Sequence, residues 1–280
     1  MSQVTTAIIP TAGWGTRRLP VTKTIEKTML PIGNRPIVDY SVRDVIAAGV
    51  KDIYIVVSDV ESSQIKQYYS GNTALNEYLV QHGKQDKLAL TQTIPENVNI
   101  HFVAQGYEGK YGTALPVAAA VEQCGINEPA LVFMGDDFIW NPNGPTAGQS
   151  LLQTTQTQTD SAILGVEIAR EEISRYGVLR VSSDGQFQGI TEKPQPAEAP
   201  SNLINVSKYL MSAQLLQEVV NYVHTHDFGP QDQEYMIVDP INTYLAKGGI
   251  MRVASTSGEY LDGGSLEGWL HANNVVCGNK

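Results

Sequence analysis

The chain has 280 residues, 42% of them hydrophobic, and a formal net charge of −10. That length and apolar content suffice for one large core, and the acidic balance excludes a nucleic-acid backbone as a general partner. With only Cys124 and Cys277, neither a disulfide framework nor a cysteine-rich zinc site can be built. No run approaches the length of a membrane span and the first residues lack a signal-peptide pattern, so a cytoplasmic protein without membrane contact is expected.

Residues 5–10 read as a buried strand that runs into the glycine turn Ala12-Gly13-Trp14-Gly15-Thr16-Arg17-Arg18. Free backbone amides in such a turn, with Arg17 over its exit, make a donor surface suited to a polyphosphate. Arg18 stands where the dinucleotide fingerprint needs its third glycine, and no Gly-Lys-Ser/Thr ending makes a Walker loop. Lys23 and Lys27 follow closely, and cations crowded in one stretch call for an anion to neutralise them. The spacing predicts an amphipathic helix over 36–48, with Ile37, Tyr40, Val45 and Ile46 on one side and Gly49 as its stop. A strand over 50–57 completes a βαβ start, with the phosphate loop at the carboxyl end of its first strand.

Helix is expected over 61–69 and in a polar excursion over 74–90, then a strand over 98–104. The glycine-rich loop 105–114 precedes an Ala-rich helix with Pro116 in its first turn and a stop near Gly125. The carboxamide of Gln105 can donate and accept at once, as the edge of a pyrimidine requires. A third buried strand, 129–134, delivers Gly135-Asp136-Asp137, where a carboxylate can supply part of a Mg²⁺ shell. Beyond it the patterning predicts a helix over 146–156, strands over 161–168, 187–190 and 203–211, and a helix opening at Ser212 and running to about 223. His224 and His226 lack further His or Cys to complete a metal site. Asp239-Pro240 is read as the cap of a helix to 247, 250–254 as the last clear strand, and 265–276 as a closing amphipathic helix.

The run Gly13-Trp14-Gly15-Thr16-Arg17, then Lys27-Thr28-Met29-Leu30-Pro31 and Asn34-Arg35-Pro36-Ile37, resembles the signature of sugar-1-phosphate nucleotidylyltransferases. The resemblance spans nearly the whole chain and is strongest to the bacterial uridylyltransferase branch. The excursion at 74–90 and the spacing of Glu192-Lys193-Pro194 ahead of Lys208-Tyr209 carry that preference. It implies an α/β, Rossmann-like three-layer sandwich with a mixed, mostly parallel central sheet. One domain over 1–280 would bind nucleotide mainly through 1–140 and sugar phosphate mainly through 141–280.

The implied activity is Mg²⁺-assisted transfer of a uridylyl group from UTP to glucose 1-phosphate, by a homo-oligomer (dimer or tetramer). Carried over residue by residue, Ala12, Gly13, Gly15, Thr16, Gln105 and Gly112 bind the nucleotide, while Arg17, Lys27 and Lys193 act on the phosphates. Gly177, Glu192, Lys193 and Lys208 hold the sugar phosphate, and Asp136 and Asp262 hold the metal. Asp137 has no family counterpart and is read as supporting Asp136 or solvated.

The chain departs from the pattern at four places. Thr28 stands for a glutamate that touches uracil in the family, and Glu26 puts an acid beside Lys27. The stretch 233–239 keeps only Glu234 and Asp239, and Gly264-Ser265 replaces a downstream Asn/Asp-Lys. Transfer of thymidylyl or another nucleotidylyl group, and a catalytically silent nucleotide-sugar-binding regulator, stand as alternatives.

Overall fold

In the computed structural model, which describes residues 4–155, 157, 159–229 and 233–278, the chain opens on β1 (Thr6–Pro10). Its Ala7 and Ile9 enter one apolar cluster and Ile8 another. A strand buried on both faces belongs inside a sheet, and β1 lies there between two parallel neighbours.

The short strands β2 (Pro31–Ile32) and β3 (Arg35–Pro36) pair ahead of α1 (Ile37–Ala47). Next come β4 (Asp52–Val57), α2 (Gln64–Tyr69), α3 (Thr73–Gln81), β5 (Asn99–Ala104) and α4 (Ala114–Cys124). The middle of the chain forms β6 (Ala130–Phe133), β7 (Asp137–Trp140), α5 (Ala147–Thr154) and β8 (Ser161–Glu167). It continues through β9 (Gly177–Val181), β10 (Phe187–Glu192), β11 (Leu203–Met211), α6 (Ala213–Thr225) and α7 (Val238–Ala246). The last elements are β12 (Met251–Thr256), β13 (Glu259–Asp262) and α8 (Leu266–Gly278).

Nine strands form the central sheet in the order β10-β9-β11-β6-β1-β4-β5, with β8 also on β11 and β12 on β8. Pairing is parallel across β6-β1-β4-β5 and between β8 and β12, and antiparallel around β11. The helices α4, α6 and α7 cover one face through Leu115, Leu216 and Tyr244, packed with Ile8 and Val132. On the other face, α1, α2 and α5 bring Val42, Ile65 and Leu151 against Ile9 and Phe133. The three-layer α/β sandwich expected from the sequence is therefore the observed fold, and β1, β4, β5 and β6 point their carboxyl ends at one edge.

Several local expectations change. The excursion at 74–90 is α3 followed by a 3₁₀ run, Gln85–Leu90. Helix α5 ends at Thr154, while residue 156, which the sequence placed in it, lies outside the described residues, as do residues 1–3. The stripe read on α1 splits: Ile37 and Tyr40 pack under α8, whereas Val45 and Ile46 join the cluster beneath the sheet. Asp239 does not cap α7, which begins at Val238; its carboxylate accepts from the Tyr222 hydroxyl at 2.7 Å. Nor is β12 the last strand, because β13 pairs antiparallel with β7 and sets Asp262 opposite Asp137. Two four-residue strands with no alternation leave nothing for a periodicity argument to find.

Asp44 on α1 accepts from the amides of Ala147 at 3.0 Å and Gly148 at 2.8 Å, satisfying the first turn of α5 from another helix. Replacing Asp44 with Ala should lower stability by about 1–3 kcal/mol, the cost of leaving those donors unpaired, read as a lower urea midpoint at unchanged m-value.

Candidate active site

The turn after β1 is shaped by what it wraps. Gly15 adopts φ 63°, and a Cβ there would stand 2.8 Å from the Cβ of Lys27; a Cβ on Gly13 would meet the Lys27 ammonium at 3.1 Å. The Thr22 hydroxyl donates to the Gly15 carbonyl at 2.8 Å and closes the turn over the lysine. Arg18, at the missing third glycine, points the other way. Its guanidinium donates to the Ser265 carbonyl at 2.7 Å and lies over the Trp269 ring, tying the loop to the start of α8.

Acids meet these cations at the carboxyl end of β6. Lys27 Nζ donates to Asp136 Oδ2 at 2.7 Å, with both side chains partly open to the cleft. Burial raises the Asp136 pKa, but Lys27 and then Lys208 outweigh it and hold the carboxyl below its ordinary range. Asp136 is thus ionised at neutral pH. A Cβ on Gly264 would stand 3.0 Å from Arg17 Nη2, 3.0 Å from Asp262 Oδ1 and 3.7 Å from Asp136 Oδ2. Four residues far apart in the chain, Arg17, Lys27, Asp136 and Asp262, therefore converge. Asp262 ends β13 and turns its Oδ1 to the Gly264 amide at 2.7 Å, so the Asp-Gly turn and the site are one feature.

A cavity of about 490 Å³ opens beside this centre. Ala12, Gly13, Gly15, Thr16, Lys27 and Asp136 line one part of it, and Gln105 and Gly112 another. Gly112 has φ 139°, and a Cβ there would overlap the backbone of Tyr235 at 2.4 Å, so only glycine allows the two segments to close. The Ala114 amide donates to the Tyr235 carbonyl at 2.9 Å and the Tyr235 amide to the Tyr111 carbonyl at 3.0 Å. Trp14, 81% exposed, stands at the lip. Trp14, Lys110, Tyr111, Ser207 and Glu234 also line this cavity, and motif reasoning gave none of them a role there. They come from several segments and share no spacing.

Gly177 and Glu192 face each other across β9 and β10; a Cβ on Gly177 would lie 2.9 Å from Glu192 Oε1. Neither Glu192 nor Lys193 has a side-chain hydrogen bond or ion pair among the described residues. Lys193 is held at φ 43° by its amide, which donates to the Tyr176 carbonyl at 3.0 Å. A non-glycine residue in that region is strained, as is Ser207 at φ 50° in the cavity wall. A second cavity, of about 570 Å³, is lined by Asp262 together with Tyr176 and Tyr260, whose rings meet edge to face.

Lys208 is the expectation that fails here, and the readings of Asp137, Thr28 and Glu26 are narrowed. Lys208 is no open phosphate contact: alternation along β11 puts it on the face of Ile204 and Val206, where its side chain is 1% exposed. It pairs closely with Asp137 Oδ1 and donates to the Met134 carbonyl at 2.9 Å and the Asp137 carbonyl at 3.2 Å. Asp137 is accordingly buried, not solvated, and accepts from the Tyr260 hydroxyl at 3.1 Å. Burial, with Asp136 and Asp262 adding repulsion, holds its carboxyl above the usual range against the pull of Lys208. Thr28 does not line the cavity; it is fully buried and its hydroxyl has no partner. Glu26 turns from Lys27 toward Gln64, accepting from its amide while Gln64 Oε1 accepts from the Glu26 amide at 2.9 Å.

The donor set fits a hard cation. Among the described residues no cluster of three or more His, Cys, Asp or Glu forms a closed metal cage. Two carboxylates, one of them kept ionised, do converge, and Mg²⁺ commonly takes one or two such ligands and fills its shell with phosphate oxygens and water. Breaking the buried pair beneath them is expected to be costly. Replacing Lys208 with Met should destabilise the fold by about 3–5 kcal/mol in denaturant titrations, whereas a free surface contact would leave stability unchanged.

Comparison with known proteins bears on the family and fold of the chain. The family model described as nucleotidyl transferase matches residues 6–278. A UTP–glucose-1-phosphate uridylyltransferase of Mycoplasma pneumoniae is 30% identical over 280 residues, covering 98% of this chain and 92% of its own. A UTP-bound UGPase from Acinetobacter baumannii superposes with a TM-score of 0.85 at 28% identity, over 98% of this chain and 93% of that one. A UDP-glucose pyrophosphorylase complexed with UDP-glucose gives a TM-score of 0.78 at 26% identity, over 99% and 100% of the two chains. The chain is a nucleotidyltransferase and belongs to the nucleotidyl transferase family.

Proposed function

We propose that this chain transfers the uridylyl group of UTP to glucose 1-phosphate, giving UDP-glucose and pyrophosphate. The observation that carries the reading is the meeting of Arg17, Lys27, Asp136 and Asp262 at a nucleotide-sized cavity, with the unpaired Glu192 and Lys193 standing ready for a second substrate. The phosphate of glucose 1-phosphate is already ionised, so it attacks the α-phosphorus in line without a serine or cysteine nucleophile. The chain's task is then alignment and cationic stabilisation of the shared charge.

Amides of Ala12, Gly13, Gly15 and Thr16 line the cavity where the polyphosphate lies, and Arg17 neutralises the departing pyrophosphate. Lys27 moves its ammonium from Asp136 to the α-phosphate. Lys193 meets the attacking phosphate, and Glu192 with the Gly177 backbone orients the sugar hydroxyls. Asp136 and Asp262 would hold Mg²⁺, which when bound supplies positive charge to the phosphate oxygens. Gln105 and Gly112 face the base. The work is done by one domain over 1–280, with a nucleotide half to about residue 140 and a sugar-phosphate half beyond it that also lends Ser207 and Glu234 to the nucleotide cavity. No described helix is long and apolar enough to cross a membrane. A cytoplasmic homo-oligomer is part of the reading, and light scattering tests its assembly.

One observation keeps a second reading in play. With Thr28 out of the cavity, the position that carries the uracil-touching glutamate in the family does not reach the base here, which leaves room for thymidylyl transfer. Pyrophosphate release from glucose 1-phosphate and Mg²⁺ with a panel of triphosphates decides between them: UTP should be the preferred donor, and a preference for dTTP would move the assignment.

Asp136→Asn should lower turnover roughly a hundredfold or more at saturating substrates, on the scale of lost transition-state electrostatics. Lys193→Met should raise the KM for glucose 1-phosphate roughly 10- to 100-fold, the loss of a charge-assisted contact, with UTP binding unchanged by calorimetry.

A further inference from the structure

We propose that Glu234 is the residue that reads the nucleotide base, accepting the ring N–H of uracil; this rests on the uridylyl-transfer reading of the same cavity. Glu234 lines that cavity with Gln105, Tyr111 and Gly112, and its carboxylate has no hydrogen bond or ion pair among the described residues. Its placement is not accidental to the fold. The Tyr111 carbonyl, the Thr113 hydroxyl and the Ala114 amide are bonded to the Tyr235 amide, the Ile237 amide and the Tyr235 carbonyl, at 2.9 to 3.0 Å. Gly112 is pressed against the Tyr235 backbone between them. Those bonds pin the residue next to Glu234 directly to the glycine-rich loop, remote in sequence from the phosphate turn.

Lys110, from the same loop, already pairs with Asp227 at 3.3 Å and lies over the Tyr235 ring, so it leaves Glu234 without a counter-ion. Glu234 is only partly buried, so its carboxylate keeps water until a ligand donor displaces it. The phosphates cannot be that donor, since they repel it. A uracil or thymine ring presents an N–H at position 3, flanked by carbonyls that the Gln105 amide can serve, whereas cytosine presents a lone pair there. Buried Thr28 cannot make this discrimination; Glu234, in the cavity lining with Gln105 and Gly112, can.

The test is calorimetric titration of the full chain, and of Glu234→Ala and Glu234→Gln, with Mg²⁺ and UTP, CTP or 3-methyluridine 5′-triphosphate, alongside the KM for glucose 1-phosphate. The parent chain should bind UTP roughly 10- to 100-fold more tightly than either analogue. In Glu234→Ala, UTP should weaken toward CTP while CTP is little changed, which also reports an intact fold. Glu234→Gln, which keeps an acceptor oxygen but loses the charge, should fall between. An unchanged UTP-to-CTP ratio in Glu234→Ala overturns the proposal, as does a rise confined to the KM for glucose 1-phosphate, which would assign the carboxylate to the hexose. Selective UTP binding without pyrophosphate release would reject the transfer reading alone, because the titrations decide the role of Glu234 without turnover.

Discussion

The site depends on a buried ion pair. Lys208 from β11 reaches under the loop that follows β6 and holds Asp137 together with two carbonyls of that loop. The Ser41 hydroxyl on α1 faces the same Asp137 carbonyl at 3.2 Å, and Tyr260 on β13 donates to the Asp137 carboxylate. A charge taken out of water must be fully paired to persist, and here the pairing joins strands β7, β11 and β13 with helix α1. Asp136 and Asp262 ride on that arrangement, one beside Asp137 in the chain and the other opposite it in the β7–β13 ladder.

Charge is arranged in two tiers around that pair. The lower tier is buried, with Lys208 balancing Asp137. The upper tier faces the cleft, where Lys27 sits on Asp136 and Arg17 approaches Asp262. Lys27, paired only with Asp136 on the cleft side, can pass to phosphate without unfolding anything, and the acid so released suits a hard metal. In a chain of net charge −10, Lys27 and Arg17 beside the cavity make a local cationic patch. Strain concentrates at the same edge of the sheet. Tyr107 and Lys193 hold positive φ on loops and Ser207 does so within β11 in the cavity wall, a conformation that persists only because neighbouring strands and turns fix it.

Much of this is legible in the sequence. Apolar runs of four to six residues bounded by turns marked β1, β4 and β6, because strands buried on both faces leave no other pattern. Gly13, Gly15, Arg17 and Lys27 were readable because they act within one short stretch of chain. Lys208 was misread for a different reason. Its neighbours in sequence matched a sugar-phosphate motif, but strand alternation sends it through the sheet to the side away from the cavity, and only the register of β11 shows what waits there. Thr28 was judged by what it replaces, although a residue packed beneath the loop has no access to a base at all.

By itself the sequence determined the layers of the fold, the phosphate turn, and the two acids and the Glu192-Lys193 pair as candidates, since each is written in periodicity or in a local motif. The tertiary structure decided which charged groups face the cleft and which lie under it, and it brought Glu234 to the loop of Gly112 and Asp262 to the side of Asp137. Those outcomes follow from strand pairing and close backbone approach between segments as much as 125 positions apart, from Asp137 to Asp262, which no local pattern encodes.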